Sequence, residues 1–454
     1  MDMKTTLPTA AGVTDRRYFD ALANGVCRAA AGIDRTSLQL KAEDSHFIRF
    51  NHGRVRQATQ VMQAVATLAV VRGARRIEGS CTLSGDAAAD VASLLARRQA
   101  LAADLDELDD DPYLLLPDDL SCSERVESGD LPTPAEVVQA VASAAAGLDF
   151  VGFYAGGPVA RGFADSRGQR HWHRVESFHV DWCLYHSTDK ALKSFYAGSH
   201  WQADEFARRV AEGALRLPLL ALPARRLEPG AYRAWFEPAA MVELLGTLAW
   251  TGFSAKSRHT GTSSLGRLAS GEARLHADVS LSEDTGRGLA PAFTAEGFAR
   301  PGEVALVRGG LAGDTLNSPR SAREYGLPAN GATPLEMAES LSLAPGTLAP
   351  GDALAALDHG IWVANLWYLN YSDRSACRMT GMTRSACFVV EAGRLVAPLA
   401  VMRFDDSFLR MFGSGLLGLG AQAEQVPDNG TYKERQLASV TTPGALVDGW
   451  RLTL

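Results

Sequence analysis

Residues 150–186, FVGFYAGGPVARGFADSRGQRHWHRVESFHVDWCLYH, carry the reading on which the fold turns. Two long runs rich in aromatic and β-branched residues, Phe150–Ala164 and Gln169–His186, are interrupted only by Asp165-Ser166-Arg167-Gly168. Both runs predict strands. The four-residue insert predicts a tight hairpin, because an Asp side chain can accept from the turn's own backbone and a glycine tolerates positive φ. Gly168 is therefore expected at positive φ.

Toward the amino terminus, Ser37–Val71 is dense in alternating β-formers and broken by Asn51-His52-Gly53, which predicts an antiparallel meander. Apolar residues at helical spacing (Tyr18, Phe19, Leu22, Val26, Ala29) predict a core-facing helix over 15–31, capped by Asp15 and ended by Gly32. Gly85–Asp104 predicts a helix over the sheet, and Pro134 opens another that Gly147 closes. The acidic run Asp104, Asp106, Glu107, Asp109, Asp110 and Asp111 lacks the central glycine and terminal glutamate of a calcium loop, and reads as a solvated loop.

Toward the carboxy terminus, Trp201–Leu217 is an amphipathic helix, and the two prolines of 217–223 place a domain boundary between Leu217 and Gly230. Ala231–Phe236 predicts a strand, and Pro238 opens a helix running through Thr251. Beyond it, short β-like runs alternate with Gly and Pro turns, with short helices expected near 322 and over 335–341. Arg374-Ser-Ala-Cys377 echoes Arg384-Ser-Ala-Cys387, two arms of a hairpin or a coincidence. The fold class is α+β in two domains: residues 1–220, an α/β domain with antiparallel strands, and residues 221–454, a β-rich domain.

Composition narrows the function classes. A chain of 454 residues with 46% hydrophobic content can bury a sizeable core without staples. Six cysteines with no CxxC pair fit a reducing compartment. The first twenty residues lack the apolar core of a secretory signal, and no apolar run approaches a membrane span, so a cytoplasmic location is expected. A net charge of -7 makes nucleic acid a poor partner.

The densest chemistry is His171, His173, His179, Asp181 and His186. On a strand the first four share a face, but His173 and His179 stand about 20 Å apart, too far for one zinc. Either pair would need ligands from another strand, so the plainer reading is a polar sheet face interleaved with Trp172, Phe178 and Trp182. A further reading makes this strand the wall of a peptide groove. Cys183 has His179 on its own face but about 13 Å away, and His186 on the other. Gly261-Thr-Ser263-Ser264-Leu-Gly266, with His259 nearby, has the wrong spacing for a nucleophile elbow. Gly156-Gly157 lacks the third glycine of a dinucleotide fingerprint.

Two segments resemble the TldD/PmbA family, cytoplasmic bacterial proteins once described as modulators of DNA gyrase and understood as peptidase subunits. Gly162-Phe-Ala-Asp165-Ser166-Arg-Gly168 is similar to its Asn-Ser-x-Gly turn, with Asp165 in place of the Asn. Gly252-Phe-Ser-Ala-Lys256-Ser-Arg-His-Thr-Gly261-Thr262-Ser263 resembles the segment after the active-site helix, where catalytic members have Gly-x-Glu-x-Asp and then Gly-Thr-Ser. Those members carry His-Glu-x-x-x-His just before it, two metal ligands and a general base, and a third ligand, a cysteine, in a loop near the carboxyl end. The matching positions here are Gly246-Thr247-Leu248-Ala249-Trp250-Thr251 and Val426-Pro-Asp428-Asn429-Gly430-Thr-Tyr-Lys, and no cysteine follows Cys387.

The resemblance thus implies the PmbA (TldE) branch: a non-catalytic subunit with no catalytic or metal residues and no cofactor. Its expected partners are a second copy or a catalytic TldD-type subunit, with unfolded peptide admitted to a chamber between subunits. Restoring His, Glu and His at 246, 247 and 251 is expected to cost stability, partly by crowding at Gly246. Two alternatives stand beside this reading. One is an active metal-dependent peptidase using His171 and His173 with zinc; the other is a scaffold or binding protein unrelated to proteolysis.

Overall fold

The computed structural model describes residues 12–187, 190–384 and 386–454. Ser385, one residue of the second Arg-Ser-Ala-Cys stretch, lies outside them, as do residues 1–11 of the stretch read for a signal. The architecture is mixed α+β, with a largely antiparallel sheet built before residue 199 and a strand-rich part built after residue 229.

The first sheet contains β1 (Arg35–Asn51), β2 (Arg54–Arg72), β3 (Arg75–Thr82), β4 (Cys122–Glu127), β5 (Asp149–Asp165), β6 (Arg170–Ser187) and β7 (Lys190–Gly198). Their order is β3-β2-β1-β5-β6-β4, with β7 also on β6, and every pairing is antiparallel except β4 with β6. The meander and the long hairpin are both as the sequence predicts. His52 and Gly53 take φ of 51° and 67° at the first turn, and Gly168 takes 112° at the second.

Four helices cover one face of this sheet. α1 (Arg16–Val26), capped by Asp15, ends at Cys27 rather than reaching Ala31, and packs with α2 (Ala87–Asp104) over Leu38, Leu40, Leu68 and Trp172. α3 (Pro134–Ala144) carries a capping box between Thr133 and Glu136. α4 (Ala203–Leu220) runs through Pro218 for its last turn. These two bury Val137, Val141, Phe206 and Val210 against Phe150, Phe178 and Trp182. Each fully buried ring of this size contributes roughly 1.5–3 kcal/mol, so the aromatic interleaving of β6 builds core. The acidic run after α2 is a loop whose carboxylates pair outward: Asp106 with Arg72, Asp110 with Arg75 and Asp111 with Arg320.

In the second part, β8 (Gly230–Phe236) lies between the strand Ser439–Leu452, antiparallel to it, and Gly360–Val363, parallel to it. α5 (Pro238–Ala249) follows directly, with Pro238 at its first turn, and buries Met241, Leu244, Leu245 and Leu248. α6 (Ala255–His259) begins at Ser254. The expected short helix near 322 is present as Pro319–Tyr325. Residues 335–341 are not helical: Glu336 takes φ of 52°, and the chain enters the strand Ser340–Leu343. Glu336 is buried there because its carboxylate accepts from Ser254 Oγ and from the backbone N–H groups of Lys256 and Ser318, a set of donors no helix would offer it.

The parts share a core. Trp235, Trp362, Phe388 and Leu446 of the second part join the cluster beneath α3 and α4. The other face of the first sheet, the one bearing the histidines, meets the second part from the opposite side.

Candidate functional site

The odd-numbered residues of β6 point away from α1–α4, as strand alternation requires. They form a polar face, as the sequence reading favours, but a buried one. His171, His173 and His179 are buried at 1%, 0% and 5% exposure because the second part lies over them. His171 stacks on Phe293 at 5.0 Å between centroids, with its Nδ1 2.8 Å from Ser123 Oγ, and His173 Nε2 is 3.0 Å from the carbonyl of Leu289. Burial pushes His173 and His179 down to about 3, and nearby arginines add to the effect, so both are neutral.

Past His179 the cover lifts and a cleft of about 1480 Å³ opens between the two parts. Its walls are the β6–β7 surface (His179, Asp181, Lys193), the outer side of α5 (Glu243, Gly246, Thr247, Trp250) and the loop bearing Asp428 and Asn429. Residues of the two stretches matched to the family's metal ligands, 246–251 and 426–433, thus line one cavity although nearly two hundred residues apart in sequence. α5 is aimed by its ends. Glu237 at the amino end accepts from Trp362 Nε1 at 2.7 Å and Arg216 Nη1 at 3.0 Å, while the Tyr371 hydroxyl sits 3.0 Å from the carbonyl of Thr247 near the other. Gly252 lets the chain turn away directly, since a Cβ there would lie 2.6 Å from Leu248 O.

Gly246 faces open space, with nothing within 4 Å of where its Cβ would be. The expectation of crowding at that position is corrected by this geometry. Trp250 is 46% exposed at the cleft wall.

The donor set does not suit a metal. Gly246 has no side chain, Thr247 gives its hydroxyl to the carbonyl of Glu243 at 2.9 Å, and Asn429 is hydrogen-bonded to Asp181. His179 Nε2 is 3.8 Å from Asp181 Oδ2, beyond hydrogen-bond range. Burial raises the pKa of Asp181 against the opposing hydrogen bond from Asn429, and partial desolvation at the cleft wall raises that of Glu243, whose side chain still reaches solvent, against the opposing charge of Lys193. Among the described residues no three His, Cys, Asp or Glu side chains converge, so His171 and His173 gain no further ligand from another strand.

The remaining sequence candidates are structural. Ser263 Oγ donates to Gly252 O, Ser264 Oγ meets the Tyr371 hydroxyl, and His259 stacks on Tyr325 at 4.2 Å. Burial raises the pKa of the Cys183 thiol, which disfavours its thiolate. Gly157 adopts φ of 146° where a Cβ would meet Asp44 O at 2.1 Å, a close strand crossing rather than a phosphate loop. The cleft residues that sequence reasoning did not find are Lys193 and Glu243; nothing in local pattern marks either.

The comparisons agree with this fold. Residues 229–453 match the family described as PmbA/TldA metallopeptidase C-terminal domain. The full fold is similar to TldE from Thermococcus kodakarensis, at 12% identity and a TM-score of 0.80, covering 96% of this chain and 100% of that one. It is also similar to a putative modulator of a DNA gyrase from Thermotoga maritima (13% identity, TM-score 0.74, 96% and 100% covered). A putative modulator of DNA gyrase from Bacteroides thetaiotaomicron gives 13%, 0.73, 97% and 98%. No curated protein matches in sequence. Fold and carboxy-terminal domain together define a metallopeptidase-type architecture. The chain belongs to the TldD/PmbA family.

Among the described residues, no helix is long and apolar enough to cross a membrane.

Proposed function

We propose that this chain is a non-catalytic TldD/PmbA subunit that forms or gates the wall of a peptide chamber. The observation that carries the reading is the chemistry of the α5 wall. Where the resemblance puts His, Glu and His stand Gly246, Thr247 and Thr251, and the one hydroxyl among them facing the cleft is spent on its own helix. What the cleft retains suits holding a chain rather than cutting it: an apolar helix side, a strand surface, and polar groups that can meet backbone amides.

The test is elemental analysis of the purified full chain alongside chelator-sensitive hydrolysis of an unfolded protein. Copurification from the native cell completes it. The expected result is no stoichiometric zinc, no chelator-sensitive cleavage, and a partner containing His-Glu-x-x-x-His. Zinc close to one per chain, with activity lost to chelator and restored by zinc, would overturn the reading.

A further inference from the structure

The cleft does not end at Asp181 and Lys193. Both residues also line a shallower hollow of about 860 Å³ over the same sheet face, bounded by Arg49, Arg56, Phe153 and Cys183. Arg49 reaches this surface from β1, with its guanidinium 5.5 Å from the centre of the Phe153 ring, and Phe153 stacks on Phe47 at 5.9 Å. Arg49, Arg56 and Lys193 are all exposed, and none makes an ion pair among the described residues.

Elsewhere several arginines have carboxylate partners, as in Arg72 with Asp106, Arg208 with Glu212 and Arg225 with Glu391. The carboxylates nearest Lys193 are Asp181 and Glu243, and burial favours the neutral form of each more than in water. Three unmatched cations on a concave surface focus positive potential there, although the whole chain carries -7. A guanidinium offers a planar fork that matches a carboxylate, and the Phe47–Phe153 stack beneath supplies an apolar floor that strengthens such a contact.

We infer that the hollow is a carboxylate subsite: Arg49, Arg56 and Lys193 receive an acidic side chain or the terminal carboxylate of an extended peptide whose remainder lies in the cleft. The inference rests on the peptide-wall reading and adds charge selectivity to it. Three cations are too few to track a polyphosphate backbone, whose binding requires many neutralised phosphates.

The experiment measures binding of the full chain to labelled unfolded peptides of equal length by fluorescence anisotropy. The probes are an acidic peptide, a neutral one, both with free and amidated carboxyl ends, and a single-stranded oligonucleotide. The acidic peptide with a free carboxyl end is expected to bind about tenfold tighter than the neutral amidated one at low salt. That margin should shrink at high salt. It should also be largely lost in a double variant R49Q, R56Q, which leaves Lys193 in the cleft wall and whose melting temperature and affinity for the neutral amidated peptide match the parent. Loss of affinity on amidation assigns the carboxylate to the chain end, and retention assigns it to side chains. Equal affinity for acidic and neutral peptides together with no loss on amidation, or a preference that survives undiminished in the double variant, overturns the subsite and leaves the peptide wall standing. A stronger response to the oligonucleotide also overturns it, and binding of no peptide at all overturns both readings.

Discussion

Asp165 shows how much one residue of the hairpin turn does. Its Oδ1 accepts from the backbone N–H groups of Arg167, Gly168 and Gln169, at 3.0, 2.9 and 2.9 Å, while Oδ2 takes Arg35 Nε at 2.7 Å. Both charges are buried, at 1% and 5% exposure. Asp165→Asn is expected to cost about 3–5 kcal/mol in urea unfolding, because it strands a buried guanidinium, and Arg35→Gln in the same chain should recover part of it. By contrast Gly168→Ala has open space for its Cβ and meets only backbone strain, about 1 kcal/mol. The buried histidines set an acid limit. His173 and His179 are held at about 3 against 6.5 when unfolded, so the folded state binds fewer protons, and their stability contribution is lost as pH falls from 6.5 toward 3. Glu283, raised to about 7 by burial, works in the opposite sense between 7 and 4.5. A difference measurement removes that overlap: His179→Gln should flatten the stability-against-pH curve below pH 6.5 by about 1.4 kcal/mol per pH unit.

At the scale of an element, α5 presents two unlike sides. Gly246 faces the cleft, so Gly246→Ala should stabilise slightly, by about 0.5–1 kcal/mol, through helix propensity alone. Thr247 lines the same cleft but is only 5% exposed, so a glutamate there would place its carboxyl where little water reaches it. Thr247→Glu is expected to cost roughly 3 kcal/mol or more. The triple variant G246H, T247E, T251H should therefore melt lower than the parent, with the loss traceable to position 247 rather than 246, and should show no zinc-dependent turnover. Calorimetry of the single and triple variants, with zinc content and peptide hydrolysis measured in parallel, separates these contributions. A triple variant that binds zinc and hydrolyses peptide would mean that the cleft still fits a catalytic metal.

Across the whole molecule the two parts are pegged together by the loop that follows Pro427. Arg435, 4% exposed, inserts into the first sheet and donates to Gly157 O at 2.9 Å and to Ser177 O and Oγ at 2.8 and 2.9 Å, with buried Glu43 beside it. Glu434 adds contacts to Lys41 and Arg161. Because the same loop carries Asp428 and Asn429, the peg also fixes one wall of the cleft. Arg435→Met leaves carbonyls and a carboxylate unanswered and should cost about 3–5 kcal/mol. Limited proteolysis should show faster cutting within 428–438, and Glu43→Gln should offset part of the loss. Unchanged cutting would place the anchor elsewhere.

The sequence by itself determined the elements whose signals are local. The hairpin at Asp165–Gly168, the turn at Asn51–Gly53, Pro238 at the head of α5 and the Asp15 cap were all legible, because turn chemistry and capping act over four residues or fewer. It also showed that the positions corresponding to a metal motif hold Gly246, Thr247 and Thr251. It misread 335–341, whose helical spacing yields to the buried Glu336 network, and it left open what covers the histidine face, since alternation on β6 shows which residues share a face but not what lies over it. Only the tertiary structure decided that the second part buries His171 and His173, that α5 and the 428–429 loop close on Asp181 and Lys193, and that Arg49 and Arg56 stand unpaired beside them. Those relations depend on contacts between residues hundreds of positions apart, which packing fixes and local pattern does not encode.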